Sequence, residues 1–183
     1  MIKKRGVSAV VATVLIILVT IASVGIVARF VVPFVKNNLQ EGSECVPYRG
    51  YLAIDPSFDL TCYNVSSTSF KYGITVKASG KASLAENMKG IQIVLSSRSN
   101  GESNSLKVLE GSASSSDVNG VKMLDSESAI EIPKAGETRT YVVNGGNKAY
   151  SILEIYPVLE NGRVCERSDK VDVDLCLPGV ALT

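Results

Sequence analysis

Few residues of this 183-residue chain are suited to catalysis. The sequence contains no histidine, which removes the commonest general base and the commonest transition-metal ligand. It also contains no Gly-x-Ser-x-Gly motif and no glycine-rich loop of the phosphate-binding type. No spacing of serine and lysine marks a Ser–Lys dyad. We therefore expect no enzyme activity and no cofactor.

Acidic side chains near the C-terminus are the nearest approach to a metal site. They are Glu166, Asp169, Asp172 and Asp174. Calcium prefers several oxygen ligands, but this spacing does not match an EF-hand loop. Asp172 and Asp174 would share one face of a strand with Lys170, which favours a solvated strand face. We predict no metal site.

The four cysteines are the residues most suited to covalent chemistry: Cys45, Cys62, Cys165 and Cys176. None belongs to a Cys-x-x-Cys pair, which disfavours zinc-ribbon and thioredoxin-like sites. An even number in a segment expected outside the cell predicts two disulfides, and the alternative is four buried thiols. The spacing suits the neighbouring pairs Cys45–Cys62 and Cys165–Cys176, and a cross-sheet Cys62–Cys165 bond is an alternative. Four cysteines permit three connectivities, and the sequence does not choose among them.

Two features concern the surface. Asn64-Val65-Ser66 is the only N-glycosylation sequon in the chain, so Asn64 is a candidate modification site. The formal net charge is +1 at pH 7, so no strong field attracts nucleic acid, and we expect no nucleic-acid partner.

The N-terminus determines the class of protein. Three basic residues, Lys3, Lys4 and Arg5, precede an uncharged stretch from Gly6 to Ala28. That stretch has about the length of a membrane-spanning helix, roughly 20 residues. The basic residues should hold the N-terminus in the cytoplasm, which places everything after Arg29 outside. A secretory signal has a shorter apolar region, so the remaining alternatives are a transmembrane anchor and a basic leader that is removed while the helix stays.

The segment Lys3–Gly6 followed directly by Val7–Leu15 resembles the class III signal of archaeal type IV pilins and archaellins. The resemblance covers roughly the first 35 residues. It implies cleavage between Gly6 and Val7, with cleavage after Arg5 as the alternative. Bacterial type IV pilins carry glutamate at the fifth mature position, where this chain has Val11, so the archaeal pattern fits better.

The resemblance also implies a function and partners. The chain would be a structural subunit of an extracellular filament, used for adhesion or motility, and inserted in the cytoplasmic membrane before assembly. Its partners would be copies of itself, a prepilin peptidase, an assembly ATPase and a platform membrane protein. The alternative function is that of a single-pass, membrane-anchored extracellular binding module.

Helix packing in such a filament would use small side chains, which let helices approach closely. The candidates are Ser8, Ala9, Ala12, Thr13, Ala22 and Gly25. Pro33 should kink the helix or restart it, and Gly42 is a plausible helix end. The expected organisation is a leader at 1–6, a helix at 7–42 and an extracellular head at 43–183.

The head pattern is that of a β-sandwich. From Cys45 onward, short apolar runs alternate with clusters of Gly, Ser, Asn and Asp. Phe70, Tyr72, Ile74 and Val76 alternate with polar or small residues, which predicts a half-buried strand. The predicted fold is α+β: a long N-terminal apolar helix followed by an all-β, immunoglobulin-like sandwich. The predicted strands are 51–54, 58–65, 72–78, 91–97, 105–109, 121–124, 129–132, 138–143, 150–159, 163–165 and 170–177, with one short helix at 82–89.

Overall fold

The structure is a computed structural model that describes residues 9–66, 69–113, 120–125 and 129–182, without the side chains of residues 9 and 37–42. The chain divides into two units, which are treated separately below. The first is the N-terminal unit up to Glu44, and the second, from Cys45 onward, is called the head.

The N-terminal unit is one long helix, α1 (Ala9–Cys45). In a helix most backbone groups are hydrogen-bonded within the segment, as a segment without access to water requires. The helix contains Pro33 and continues through it, so the predicted restart does not occur. It also passes Gly42 and ends at Cys45, three residues beyond the predicted end.

Within the described ranges, the head contains nine strands in two antiparallel sheets, which confirms the predicted helix-plus-sandwich fold. A 3₁₀ turn (Val46–Tyr48) opens the head, and a short helix, α2 (Ala82–Glu86), precedes the fourth strand. The strands are β1 (Leu52–Ile54), β2 (Tyr63–Ser66), β3 (Ser69–Ala78), β4 (Met88–Ser96), β5 (Ser103–Leu109), β6 (Val121–Met123), β7 (Thr138–Asn144), β8 (Ile152–Leu159) and β9 (Asp169–Asp172).

The two sheets have simple orders. In the first, β6, β7 and β3 lie side by side, and both β1 and β2 pair with the remaining edge of β3. In the second, the order is β5-β4-β8-β9. On one side of the sandwich the sheets are joined through side chains. Ser168 and Asp169 accept the N–H groups of Leu52 and Ile54 in β1, at 3.0 and 2.8 Å, so this sheet edge is not left unpaired.

The core lies between the sheets and follows the predicted period of two. Tyr72, Ile74 and Val76 of β3 are fully buried. They face a second row of fully buried side chains on the other sheet, namely Ile91, Ile93, Leu95, Leu153 and Ile155.

The outer face of β3 is also covered, which the alternating pattern did not predict. Gly73 and Thr75 lie on this face and are buried. The loop between β1 and β2 crosses over them, since the Gly73 N–H donates to the Cys62 carbonyl and the Thr75 N–H to the Thr61 hydroxyl. The C-terminal Leu182, only 4% exposed, packs against the same surface.

Several predicted strands are shorter than the sequence pattern suggested. Residues 58–62 form the covering loop, and only Tyr63 onward is strand. The segments 129–132 and 163–165 contribute isolated bridges rather than strands. The last predicted strand, 170–177, is divided between the sheets. After Asp172 the chain leaves β9, and Leu175 forms a parallel bridge to Tyr63 in the first sheet.

Candidate functional site

The surface of α1 is the most unusual feature of the chain. From Val10 to Lys36 the helix is long and apolar enough to cross a membrane. The large apolar side chains on it are between 44% and 69% exposed. Arg29 and Lys36 are the only charged residues between Val10 and Lys36. An apolar surface of this extent must be covered by lipid or by protein.

The hydroxyl groups on this helix do not require water. Thr13 donates to the Val10 carbonyl at 2.9 Å and Thr20 to the Ile17 carbonyl at 2.8 Å. Ser23 donates to the carbonyl four residues earlier, at 2.7 Å. Because each hydroxyl is satisfied within its own helix, the helix can lie in an apolar environment on all sides.

The predicted packing residues do not share one face. At about 100° per residue, and counting from Ala12, Thr13 lies at about 100°, Gly25 at about 220° and Ala22 at about 280°, so these residues are distributed around the helix. A Cβ added at Gly25 would meet nothing within 4 Å, so no contact within the chain requires glycine there. The predicted processing residues Gly6 and Val7, together with Ser8 and the side chain of Ala9, lie outside the described part of the chain.

All four cysteines form disulfides, as predicted, but with neither of the pairings that the spacing suggested. The bonds are Cys45–Cys165 and Cys62–Cys176, with Cα–Cα distances of 5.2 and 4.8 Å. The two pairs interleave along the chain, and each closes a loop of more than one hundred residues, with sequence separations of 120 and 114. Sequence spacing favoured neighbours because it carries no information on how strands from distant segments meet.

Cys165 and Cys176 lie against different sheets. The Cys165 N–H donates to the Pro157 carbonyl of β8, in the second sheet. The Cys176 N–H donates to the Tyr63 carbonyl of β2, in the first sheet. Packed sheets lie about 10 Å apart, whereas a disulfide needs Cα atoms within about 7 Å, so the folded head excludes a direct Cys165–Cys176 bond.

Asn64 lies on β2 and is exposed, opposite Lys71 of β3 in the sheet register. An exposed side chain is accessible to a modifying enzyme.

The acidic residues near the C-terminus take structural roles. Asp169 accepts the Ile54 N–H of β1, and Asp172 forms a 2.6 Å ion pair with Arg98. Among the described residues, no group of three or more acidic or cysteine side chains is arranged to hold a metal ion.

Glu154 is the carboxylate with the most donors around it. It accepts from the Tyr156 hydroxyl at 2.8 Å and from Arg167 at 2.9 Å, and Lys170 approaches to 3.5 Å. Partial burial acts to raise its pKa, but these hydrogen bonds and charges outweigh burial and leave the pKa below its ordinary value. The group is therefore a structural anion and not a proton donor at neutral pH.

A cleft beside α2 has no catalytic arrangement. Its charged residues are three acidic and two basic, namely Glu86, Lys89, Glu110, Lys134 and Glu160. Glu110 already accepts the Ile132 N–H at 2.6 Å. Charges of opposite sign in one cleft largely cancel each other's field, so the cleft offers little attraction to an ionic substrate.

Sequence reasoning did not identify one apolar surface on the head. Val65, Leu175 and Leu177 are each more than half exposed. Leu175 forms an isolated parallel bridge to Tyr63 in β2, the strand that carries Val65. The alternation of Val171, Val173 and Leu175 with acidic residues predicted a final strand with an acidic face, but not that Leu175 would remain exposed.

Comparison of the chain with protein-family models, with curated proteins and with solved structures found no match.

Proposed function

We propose that this chain is a pilin-like structural subunit of an extracellular filament of the archaeal type IV pilus kind. In this proposal a prepilin peptidase removes the basic leader, α1 joins the filament core, and the head faces water and serves adhesion or motility. Assembly depends on an ATPase and a platform membrane protein. The observation that carries the proposal is α1 itself, which is apolar on all sides from Val10 to Ala28 and follows the basic-Gly sequence Lys3–Gly6 in the chain.

The dimensions and small side chains of α1 suit two successive environments, first the membrane and then the filament core. The nineteen residues from Val10 to Ala28 span about 28 Å as a helix, close to the roughly 30 Å core of a bilayer. Arg29 then falls at the outer membrane surface. Small side chains distributed around α1 let neighbours approach from more than one direction. A helix inside a filament has neighbours on several sides, whereas a lone anchor needs none.

The alternative function is a permanently anchored binding module. Lipid around a permanent anchor would cover the same exposed apolar side chains, so the helix surface alone does not separate the two functions. The leader does separate them, because an anchor has no need for glycine between its basic residues and its helix.

The test is the N-terminal residue of the mature protein, measured by mass spectrometry on the native membrane and surface fractions. We expect Val7 or Gly6. Retention of the leader would favour the anchored module, and a start beyond Ala28 would contradict both functions. A Gly6→Trp variant should block cleavage and abolish filaments seen by electron microscopy. The matched control Ile2→Ala lies in the leader but outside the cleavage sequence, and it should be processed normally.

A further inference from the structure

The interleaved disulfides impose an order of events on the maturation of the head. Cys45 and Cys62 are 17 residues apart and Cys165 and Cys176 are 11 apart, yet neither neighbouring pair is bonded. The bonded pairs are 120 and 114 residues apart. Oxidation before folding and oxidation after folding therefore lead to different products.

Loop-closure entropy favours the neighbouring pairs in an unfolded chain. The probability that two residues meet falls roughly as the −3/2 power of their separation. By this rule Cys45 meets Cys62 about 20 times as often as it meets Cys165. Cys176 meets Cys165 about 30 times as often as it meets Cys62. Random oxidation of the unfolded head thus yields mainly the neighbouring bonds.

The folded head cannot contain these neighbouring bonds. Cys165 is hydrogen-bonded to β8 in the second sheet and Cys176 to β2 in the first, and packed sheets lie about 10 Å apart, beyond the distance that a disulfide spans. The head with neighbouring bonds must therefore exchange them before it can fold. The burial of Cys62 and Cys165, which are 5% and 6% exposed, favours exchange before the core closes.

We propose that this chain is a substrate of a thiol–disulfide isomerase class of protein outside the membrane, which converts the neighbouring bonds to the interleaved ones. The first bonds are made by a disulfide donor, which is reduced as the four thiols are oxidised. This proposal requires only that the head is oxidised outside the cell. It holds equally for a filament subunit and for an anchored module.

The isomerisation is redox-neutral. The catalyst thiolate attacks Sγ of Cys62, forming a mixed disulfide and releasing the Cys45 thiolate. Cys45 attacks Sγ of Cys165 and displaces the Cys176 thiolate. Cys176 then attacks Sγ of Cys62 in the mixed disulfide and releases the catalyst thiolate. Two protein disulfides are broken, two are formed, and the catalyst is regenerated.

Tryptic peptides distinguish all the pairings. Cleavage after Lys36, Arg49, Lys71, Arg163, Arg167 and Lys170 places each cysteine on a separate peptide. The full chain in detergent micelles would be reduced and unfolded in urea, then diluted into a thiol-free oxidant. Samples would be quenched with maleimide at intervals and analysed by mass spectrometry.

We expect the two neighbouring pairs to exceed the interleaved pairs by at least tenfold at early times, and to convert only after a dithiol isomerase is added. Native pairs as the first products without any thiol would overturn the proposal. The control Cys62→Ala/Cys176→Ala has no neighbouring competitor and should form Cys45–Cys165 without a catalyst, as should its counterpart Cys45→Ala/Cys165→Ala with the other bond. A need for the catalyst in both controls would also contradict the proposal.

Discussion

Removal of one disulfide should destabilise the head less than removal of the second, because the two bonds interleave. The perturbation is a pair of variants, Cys45→Ala/Cys165→Ala and Cys62→Ala/Cys176→Ala, together with the variant lacking all four cysteines. Each single-bond variant loses one buried and one half-buried sulfur, so local packing losses are matched. What differs between one bond and two is the chain entropy of the unfolded state.

The magnitude follows from the loops that remain. When one bond is present, the shortest path between the other two cysteines runs through it and contains about 28 residues, which corresponds to about 3.6 kcal/mol for the second bond. When neither is present, the first bond closes a loop of 114 or 120 residues and contributes about 4.9 kcal/mol. Each single variant should therefore lose about 3.6 kcal/mol, and the four-cysteine variant about 8.5 kcal/mol.

The assay is urea unfolding of the full chain in micelles, followed by a signal from the head. In a thermal unfolding experiment on a head of about 140 residues, the same loss of about 3.6 kcal/mol would lower Tm by about 12 °C. The four-cysteine variant can be measured in an excluded osmolyte if it is unfolded in buffer. Its loss should exceed the sum of the single losses by about 1.3 kcal/mol. Strict additivity, or single variants that differ by more than about 1.5 kcal/mol, would refute this account.

Three other perturbations test separate parts of the structure. Gly73→Ala should destabilise the head by about 1–3 kcal/mol, because the added Cβ would meet the Leu60 carbonyl oxygen and lie 2.8 Å from Leu182. Thermal unfolding measures this loss. The control Lys71→Ala, on the same strand face, should have little effect. Gly25→Leu should prevent filament formation, scored by electron microscopy. Gly25→Ala should keep both the helix and the filament, since a Cβ there meets nothing within 4 Å among the described residues. Filaments formed by the leucine variant would contradict the packing role of Gly25. Glu154→Gln should lower stability by about 1 kcal/mol at pH 7. The pKa of Glu154 is lowered in the folded head, so its contribution to stability is present above the unfolded pKa of about 4.3 and is lost as pH falls through the folded pKa. Urea unfolding should therefore show the free energies of unfolding of the two proteins converging in acid. A stability difference that persists at pH 2 would assign the loss to packing.

The fold could be predicted where periodicity reports burial directly. The alternation from Phe70 to Val76 identified β3 and its buried face, and the uncharged stretch after Arg5 identified α1. Periodicity failed where a second layer covers a sheet. Gly73 and Thr75 read as an exposed face, but a loop and the C-terminal Leu182 bury them. Nothing local in the sequence indicates that a distant terminus will fold back over a strand.

The candidate functional residues divide in the same way. That the cysteines form disulfides followed from their number and from the expected compartment. Their pairing depends on which strands meet, and β9 meets β8 while the residues after it cross to Tyr63 in the other sheet. A continuous strand at 170–177 was predicted because Val171, Val173 and Leu175 alternate regularly. That alternation persists through the crossing, so it could not reveal the change of sheet.

The positions of the disulfides bear on how the head resists unfolding. Local unfolding of a sandwich begins most easily where the chain enters and leaves, because terminal strands have a neighbour on one side only. Cys45 is the first residue of the head, and Cys176 lies seven residues before the C-terminus. Cys45 is bonded to Cys165 in the segment after β8, and Cys176 is bonded to Cys62, which directly precedes β2. Peeling of β1 therefore requires displacement of the segment after β8, and peeling of the C-terminal segment requires displacement of β2. The two ends can separate from the sandwich only when much of the sandwich opens with them, so the covalent bonds make the weakest parts of the head as cooperative as its core.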